Sequence, residues 1–260
     1  MVTEAGVTTV TLNRPERMNA LTPTMVAEIL ALLDAARSGN DTRVIVITGA
    51  GRGFCAGADL KELGGPAGVL PHDGPESKRQ GLRFGVHPLI RGLRDCEVPV
   101  IAMVNGDAAA GGCDLALACD IRIGCERTRF MEAFTRIGLF PGSGGCWLLP
   151  RMVGLSKAAE MLFTGDPIGA QEAYQWGLIS RLVPHEELQE QTVALAHRIA
   201  AGPPIALRLA KMVMHKGVDM SLATSLELAA ASESITLTSE DHREGLAAFL
   251  EKRQPRFQGR

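Results

Sequence analysis

A continuous apolar run at residues 44–48 is the feature that most constrains the fold of this chain. A strand with one face in water alternates apolar and polar residues, and a run without alternation is typical of a strand buried on both faces. Residues 98–104 and 121–123 are interpreted as further buried strands, and 7–12 as a half-exposed one. Helical patterns separate these segments, so the sequence predicts an α/β core with a largely parallel sheet.

Helix signals divide the rest of the chain into two parts. Thr22 and Pro23 predict a helix start, and the glycines at 111–112 begin a short buried helix. The glycine-rich stretch 64–74 is interpreted as a mobile loop or lid. From Ser156 onward the pattern predicts successive helices without further strands, with Ser156, Ser221 and Ser239 as caps. We therefore expect a core over 1–195 and a C-terminal helical region over 196–260.

Composition excludes several classes of partner. The 27 basic and 29 acidic residues give a net charge of -2, which provides no electrostatic basis for binding nucleic acid or an anionic membrane. The six cysteines form no C-x-x-C pair, which favours reduced thiols in an intracellular protein without a metal site. The N-terminus has no apolar signal segment, so a cytoplasmic location is expected.

The segment RGFCAGADLKEL, residues 52–63, admits three chemical interpretations. A dinucleotide fingerprint would require a third glycine where Phe54 stands. A nucleophile elbow would make Cys55 the nucleophile, but no base and orienting residue follow in a recognisable order. The third interpretation is a loop that offers a backbone N–H group to an oxyanion.

The third interpretation requires a second donor, and the segment VPVIAMVNGDAAAGGCDLALACD supplies one. Here Gly111 and Gly112 lie at the predicted start of a helix, where N–H groups lack intrahelical acceptors and the helix dipole is positive. Two loops that each follow a buried strand can present their N–H groups to one carbonyl oxygen. Such a pair of donors would stabilise an enolate.

Six ordered blocks of the chain resemble the enoyl-CoA hydratase/isomerase (crotonase) family. They are LNRPERMNAL, VIVITGAGRGFCAGADLKEL, PVIAMVNGDAAAGGCDLALACDIRIG, RFMEAFTRIGLFPGSGG, EMLFTGDPIGAQEAYQWGLISRLVP and EGLAAFLEKRQPRF. The resemblance implies a spiral of ββα units with a C-terminal helical trimerisation region, in trimers that often pair into hexamers. It also implies an acyl-CoA thioester substrate, whose CoA is part of the substrate and not a cofactor. The thioester oxygen would be held by the N–H groups of Ala58 and Gly111.

The resemblance implies further contacts with the substrate and its CoA. These involve Arg17, Ala56, Ala58, Asp59, Leu60, Lys61, Phe134, Phe249 and Lys252. Phe249 and Lys252 match a helix that reaches the CoA of a neighbouring subunit. Ordinary solvated charge remains the alternative for Arg17, Lys61 and Lys252.

The chain departs from the family pattern at the catalytic acids. Hydratases of this family use two glutamates, and the matching positions here are Asp114 and Phe134. An aspartate that other branches place later in the chain is replaced by Gly142. Two residues are candidates to compensate: Glu132, which would share a strand face with Phe134, and His87. The catalytic candidates are therefore Asp114, Glu132 and His87.

These residues leave several activities open. The leading expectation is hydration of a 2-enoyl-CoA with Asp114 as acid/base. A one-base isomerase that shifts a double bond is favoured by Phe134, and a hydrolase of β-diketones would use His87 as its base. A CoA-binding protein that has lost its chemistry is the alternative from a different class.

Overall fold

The computed structural model describes residues 1–39, 41–59 and 74–260. The strands are β1 (Val2–Glu4), β2 (Val7–Leu12), β3 (Val44–Gly49), β4 (Val100–Val104), β5 (Asp107–Ala109), β6 (Ile121–Cys125), β7 (Arg129–Met131), β8 (Ile168–Gly169) and β9 (Arg181–Val183). The helices are α1 (Pro23–Ser38), α2 (Pro75–Phe84), α3 (Val86–Asp95), α4 (Gly111–Ala118), α5 (Gly145–Thr164), α6 (Ala170–Gln175), α7 (Leu188–Ala200), α8 (Pro204–Gly217), α9 (Leu222–Leu237) and α10 (Glu240–Glu251).

The strands form two sheets. The larger has the order β1-β2-β3-β4-β6-β9 and is parallel except for β1, and the smaller has the order β5-β7-β8. Consecutive strands alternate between them: β4 and β6 enter the large sheet, and β5 and β7, which follow them, enter the small one. The chain therefore advances as a spiral, and each turn adds a strand to both sheets.

The predicted strands and the buried helix α4 are confirmed, whereas the expected absence of strands beyond Ser156 is wrong. β8 and β9 both lie in that region, and β9 pairs in parallel with β6 at the sheet edge. They have two and three residues, too few to show a period, and they form because a partner strand is already in place. Ser221 and Ser239 cap α9 and α10 as predicted. Ser156 instead lies inside α5, two residues after a break at Gly154.

The core occupies both faces of the large sheet. All six residues of β3 are buried, as the apolar run predicted. On one face, α7 packs Leu195, Ala196 and Ala200 against Val44 and Val46. The predicted division after residue 195 therefore falls inside a helix that belongs to the core.

The helix α8 is attached to the core by a buried ion pair. Lys211 Nζ lies 2.8 Å from the Asp120 carboxylate and donates to the carbonyls of Leu93 and Val98. The same carboxylate accepts from the Val100 N–H at the start of β4. In the described parts of the chain, no helix has the length and apolar character needed to cross a membrane. The predicted lid lies outside the described residues, apart from Gly74.

Candidate active site

A short extended segment, residues 54–59, lies between β5 and the N-terminal part of the chain. On one side Ala109 N–H donates to the Cys55 carbonyl at 2.9 Å. On the other, Leu21 N–H donates to the Gly57 carbonyl at 2.7 Å, and Asp59 N–H donates to the Leu21 carbonyl at 2.9 Å. These bonds fix the backbone on both sides of Ala58.

The N–H groups of Ala58 and Gly111 lie close together. Gly57 has a φ of +92°, and a Cβ at this residue would stand 3.0 Å from Gly111 N. A Cβ at Gly111 would stand 3.7 Å from Ala58 N. Neither N–H has an acceptor within the described ranges. These two free donors, one in segment 54–59 and one at the start of α4, can together stabilise a negatively charged oxygen.

Ala110, the residue before Gly111, has a φ of +48°. Its N–H donates to the Met131 carbonyl at 2.8 Å, and its carbonyl accepts the Asp114 N–H at 3.1 Å. A residue with a side chain adopts this conformation at a cost of about 1–3 kcal/mol. The surrounding bonds hold the strained peptide in place and thereby set the direction of the Gly111 N–H.

Two buried asparagines hold the loop between β3 and segment 54–59. The Asn19 side chain donates to the carbonyls of Ala50 and Gly53 at 2.9 and 2.8 Å. The Asn105 side chain donates to Gly53 as well, at 3.3 Å, and accepts from the Gly49 N–H at 3.1 Å. Since the loop leads into segment 54–59, the two carboxamides position the backbone that presents Ala58.

Two carboxylates meet beside Gly145. Asp114 belongs to the first turn of α4, and Glu132 directly follows β7; both are fully buried. A Cβ at Gly145 would stand 2.8 Å from Asp114 Oδ1 and equally 2.8 Å from Glu132 Oε1. None of the four carboxylate oxygens has a hydrogen-bond partner among the residues that the structure describes. The lack of a side chain at residue 145 thus permits both carboxylates to approach the backbone of Gly145 closely.

Burial changes the protonation of both acids. It raises the pKa of Glu132 from an ordinary 4.5 to about 7, although the nearby Cys113 thiol lowers the pKa in part. Burial, and then the charge of Glu132, raise the pKa of Asp114 well above its usual range, while the Gly145 N–H opposes the shift. Neither the Cys113 thiol nor the Gly145 N–H meets the geometry of a hydrogen bond to these carboxylates. Two acids with raised pKa values can hold one proton between them near neutral pH.

Comparison with known proteins identifies the family. The family model described as enoyl-CoA hydratase/isomerase matches residues 2–260. The chain is 42% identical to a "Probable enoyl-CoA hydratase" of Rhodobacter capsulatus, over 98% of this chain and 95% of that one. It is 39% identical to the "1,2-epoxyphenylacetyl-CoA isomerase" of Escherichia coli, over 99% and 97%. The crystal structure of an enoyl-CoA hydratase from Bacillus anthracis, 36% identical, superposes with a TM-score of 0.91 over 98% and 96% of the two chains.

This chain belongs to the enoyl-CoA hydratase/isomerase family. Its spiral is the crotonase fold, as the resemblance implied. The structure brings four of the candidate residues into one region: Ala58 and Gly111 as N–H donors, and Asp114 and Glu132 as acids. Phe134 is half-buried and precedes the helical turn Thr135–Ile137.

The remaining candidate residues are placed differently. His87 Nε2 lies 2.7 Å from the Gly142 carbonyl, so this nitrogen donates to the backbone. Ala56 is exposed beside Ala58, and Asp59 forms an ion pair with Arg14 at 2.9 Å. Three further candidates are exposed at the surface: Arg17, Phe249 and Lys252. The other two, Leu60 and Lys61, lie outside the described residues.

Sequence reasoning did not single out three features of this family member's site. Gly145 and Ser143 lie in the PGSGG part of a matched block, where only Gly142 was weighed. Asn19 lies in the first block, and no periodic pattern of the sequence indicates that its carboxamide is buried. Among the residues that the structure describes, no group of three His, Cys, Asp or Glu side chains could hold a metal ion.

Proposed function

We propose that the protein hydrates a 2-enoyl-CoA thioester and uses Asp114 and Glu132 as its acid/base pair. The observation that carries this proposal is the meeting of two buried carboxylates at Gly145. Addition of water across a double bond requires one group to accept a proton from water and another to donate a proton to carbon. Two acids that share one proton meet this requirement.

The proposed mechanism assigns a different role to each acid. We assign the role of base to Glu132, whose pKa burial raises to about 7, and its ionised carboxylate accepts a proton from the water that attacks the β-carbon. The thioester becomes an enolate, whose oxygen the N–H groups of Ala58 and Gly111 stabilise. Asp114, three residues after Gly111 in α4, then delivers its proton to the α-carbon. Proton exchange between the acids restores the starting state, and no cofactor beyond the CoA of the substrate is required.

The pair also explains how hydration can survive the loss of the usual second glutamate. Glu132 lies two residues before Phe134, and its carboxylate lies with that of Asp114 beside Gly145. A double-bond isomerase is the second candidate, since Phe134 leaves the family's usual pair of glutamates incomplete; a relative 39% identical is also named an isomerase, although of an epoxide, 1,2-epoxyphenylacetyl-CoA. An isomerase requires only one carboxylate to move a proton between carbons.

The decisive experiment measures hydration of 2-enoyl-CoA substrates of increasing chain length by the loss of conjugated-enoyl absorbance. We expect turnover that Asp114→Asn and Glu132→Gln each reduce about 100-fold or more. The matched control is Glu172→Gln, at an exposed acid of α6, which should retain full activity. Because Glu132 must ionise, kcat/KM of the parent protein should rise with pH through about 7.

Other outcomes would assign the alternatives. Conversion of a 3-enoyl-CoA to the 2-enoyl product with deuterium uptake from heavy water, without hydration, would identify an isomerase. Binding of acyl-CoA without any turnover would identify a catalytically silent homologue. Either result would contradict the hydratase proposal.

A further inference from the structure

Ser143 is a buried residue whose hydroxyl has no hydrogen-bond partner among the residues that the structure describes. The residue is 6% exposed and lies in the turn directly before α5. No hydrogen bond to its side chain occurs in the described ranges of the chain. The fully buried polar atoms that lack a partner among the described residues do not include Ser143 Oγ, so this atom keeps some exposure and can be reached from outside. The hydroxyl is therefore placed to bond a molecule from outside.

The position of this hydroxyl indicates its target. Ser143 Oγ stands 3.8 Å from the point that a Cβ at Gly111 would occupy, and Ala58 N stands 3.7 Å from the same point. The hydroxyl thus borders the space beside both free N–H groups. Two residues later, Gly145 faces the acid pair.

The backbone around Ser143 is held on both sides. The His87 ring donates to the Gly142 carbonyl at 2.7 Å. The Gly144 carbonyl accepts the N–H groups of Trp147 and Leu148 at 2.9 and 3.0 Å in the first turn of α5. A hydroxyl on such a fixed turn requires little reorganisation when charge develops near it.

We propose that the Ser143 hydroxyl donates a third hydrogen bond to the thioester carbonyl oxygen, together with the N–H groups of Ala58 and Gly111. The bond strengthens as the carbonyl becomes an enolate, which makes Ser143 a catalytic residue in contact with the reacting group. This inference rests on the proposed binding of an acyl-CoA thioester at these donors. It also gives His87 a positioning role, since His87 holds the turn that carries the hydroxyl.

The first test compares Ser143→Ala with the parent protein in the hydration assay. We expect kcat to fall about tenfold to a hundredfold and KM to rise by a smaller factor, about threefold to tenfold, because the bond is present in the bound substrate and strongest in the transition state. The matched control is Ser234→Ala, at an exposed serine of α9, which should leave kcat unchanged. Unfolding curves of both variants establish that the fold is retained.

The second test does not depend on turnover. Binding of butyryl-CoA, a saturated thioester, is compared with binding of S-butyl-CoA, a thioether without the carbonyl oxygen. Ser143→Ala should weaken binding of the thioester about threefold to tenfold and leave binding of the thioether unchanged. Equal affinities of parent and variant for the thioester, or an equal loss for both ligands, would overturn the inference. If the selective loss occurs in a protein that hydrates no enoyl-CoA, the hydroxyl assignment holds and the hydratase proposal fails.

Discussion

At the scale of single residues, Glu132 is placed where it destabilises the folded protein. Its carboxylate is fully buried and has no hydrogen-bond partner among the described residues. A structural carboxylate in such a place would be paired or replaced by an apolar residue. An unpaired buried acid beside Asp114 is typical of an active site, where groups that the reaction requires lower the stability of the fold.

The raised pKa of Glu132 predicts how stability depends on pH. The folded pKa of Glu132, about 7, exceeds the ordinary 4.5 that applies when the chain is unfolded. Between these values the folded state binds more protons than the unfolded state, so the free energy of unfolding falls as pH rises. We expect the free energy of unfolding to fall by about 3 kcal/mol over this pH range. Denaturation curves at pH 5 and pH 8 measure the loss.

Glu132→Gln removes one of the two acids with a raised pKa and should make this dependence less steep, while Asp114 keeps its own contribution. The variant should therefore be more stable than the parent protein at pH 8, although its activity is reduced. Glu172→Gln, at an exposed acid, should retain the parent slope. A variant whose stability falls as steeply as that of the parent would show that Glu132 is not the group responsible.

At the scale of elements, the loop between β3 and segment 54–59 determines where the Ala58 N–H points. The carboxamides of Asn19 and Asn105 both donate to the Gly53 carbonyl. Asn19 has a φ of +56° and is fully buried, and its side-chain oxygen also accepts the Arg14 N–H at 3.0 Å. One side chain thus joins the N-terminal turn to the loop that presents Ala58.

Asn19→Ala should therefore reduce both stability and kcat. The substitution leaves several backbone groups unpaired, each at about 1–3 kcal/mol, and permits the Ala58 N–H to shift. We expect a free energy of unfolding lower by at least about 2 kcal/mol and a kcat reduced about tenfold or more. Asn13→Ala, at an exposed asparagine nearby, is the control. Loss of stability with an unchanged kcat would separate the loop from the chemistry.

The sequence predicted the elements of this fold better than it predicted the contacts between side chains. The buried strand β3 and the start of α4 follow from a local pattern. The approach of Glu132 to Asp114 does not, because it depends on how far β7 extends before the chain turns. The period-two argument paired Glu132 with Phe134, but β7 ends at Met131 and the chain then turns. The Asn19 contacts join residues more than thirty positions apart, which no local pattern encodes.

At the scale of the whole molecule, the C-terminal helices leave apolar side chains uncovered. Those with the largest exposure on α5, α9 and α10 are Leu155, Phe163, Leu222, Leu226, Phe249 and Leu250. Scattered exposed apolar residues are ordinary, but a contiguous exposed apolar patch is typical of a subunit interface. The family resemblance implied a trimer or a pair of trimers at this region, and that assembly remains a prediction.

A double substitution on the exposed face of α10 tests the predicted assembly. Leu246 and Leu250 lie one helical turn apart and are 54% and 72% exposed, so the double change Leu246→Glu and Leu250→Glu places two charges on one face. We expect sedimentation to shift from a trimer or hexamer toward the monomer. The acyl-CoA KM should rise with it, since Phe249 and Lys252 are predicted to reach a neighbour's CoA. Val2→Glu, at a residue of β1 that is 69% exposed, should change neither property. A monomeric parent protein would contradict the assembly, whereas a variant that dissociates and keeps its KM would confine Phe249 and Lys252 to a structural role.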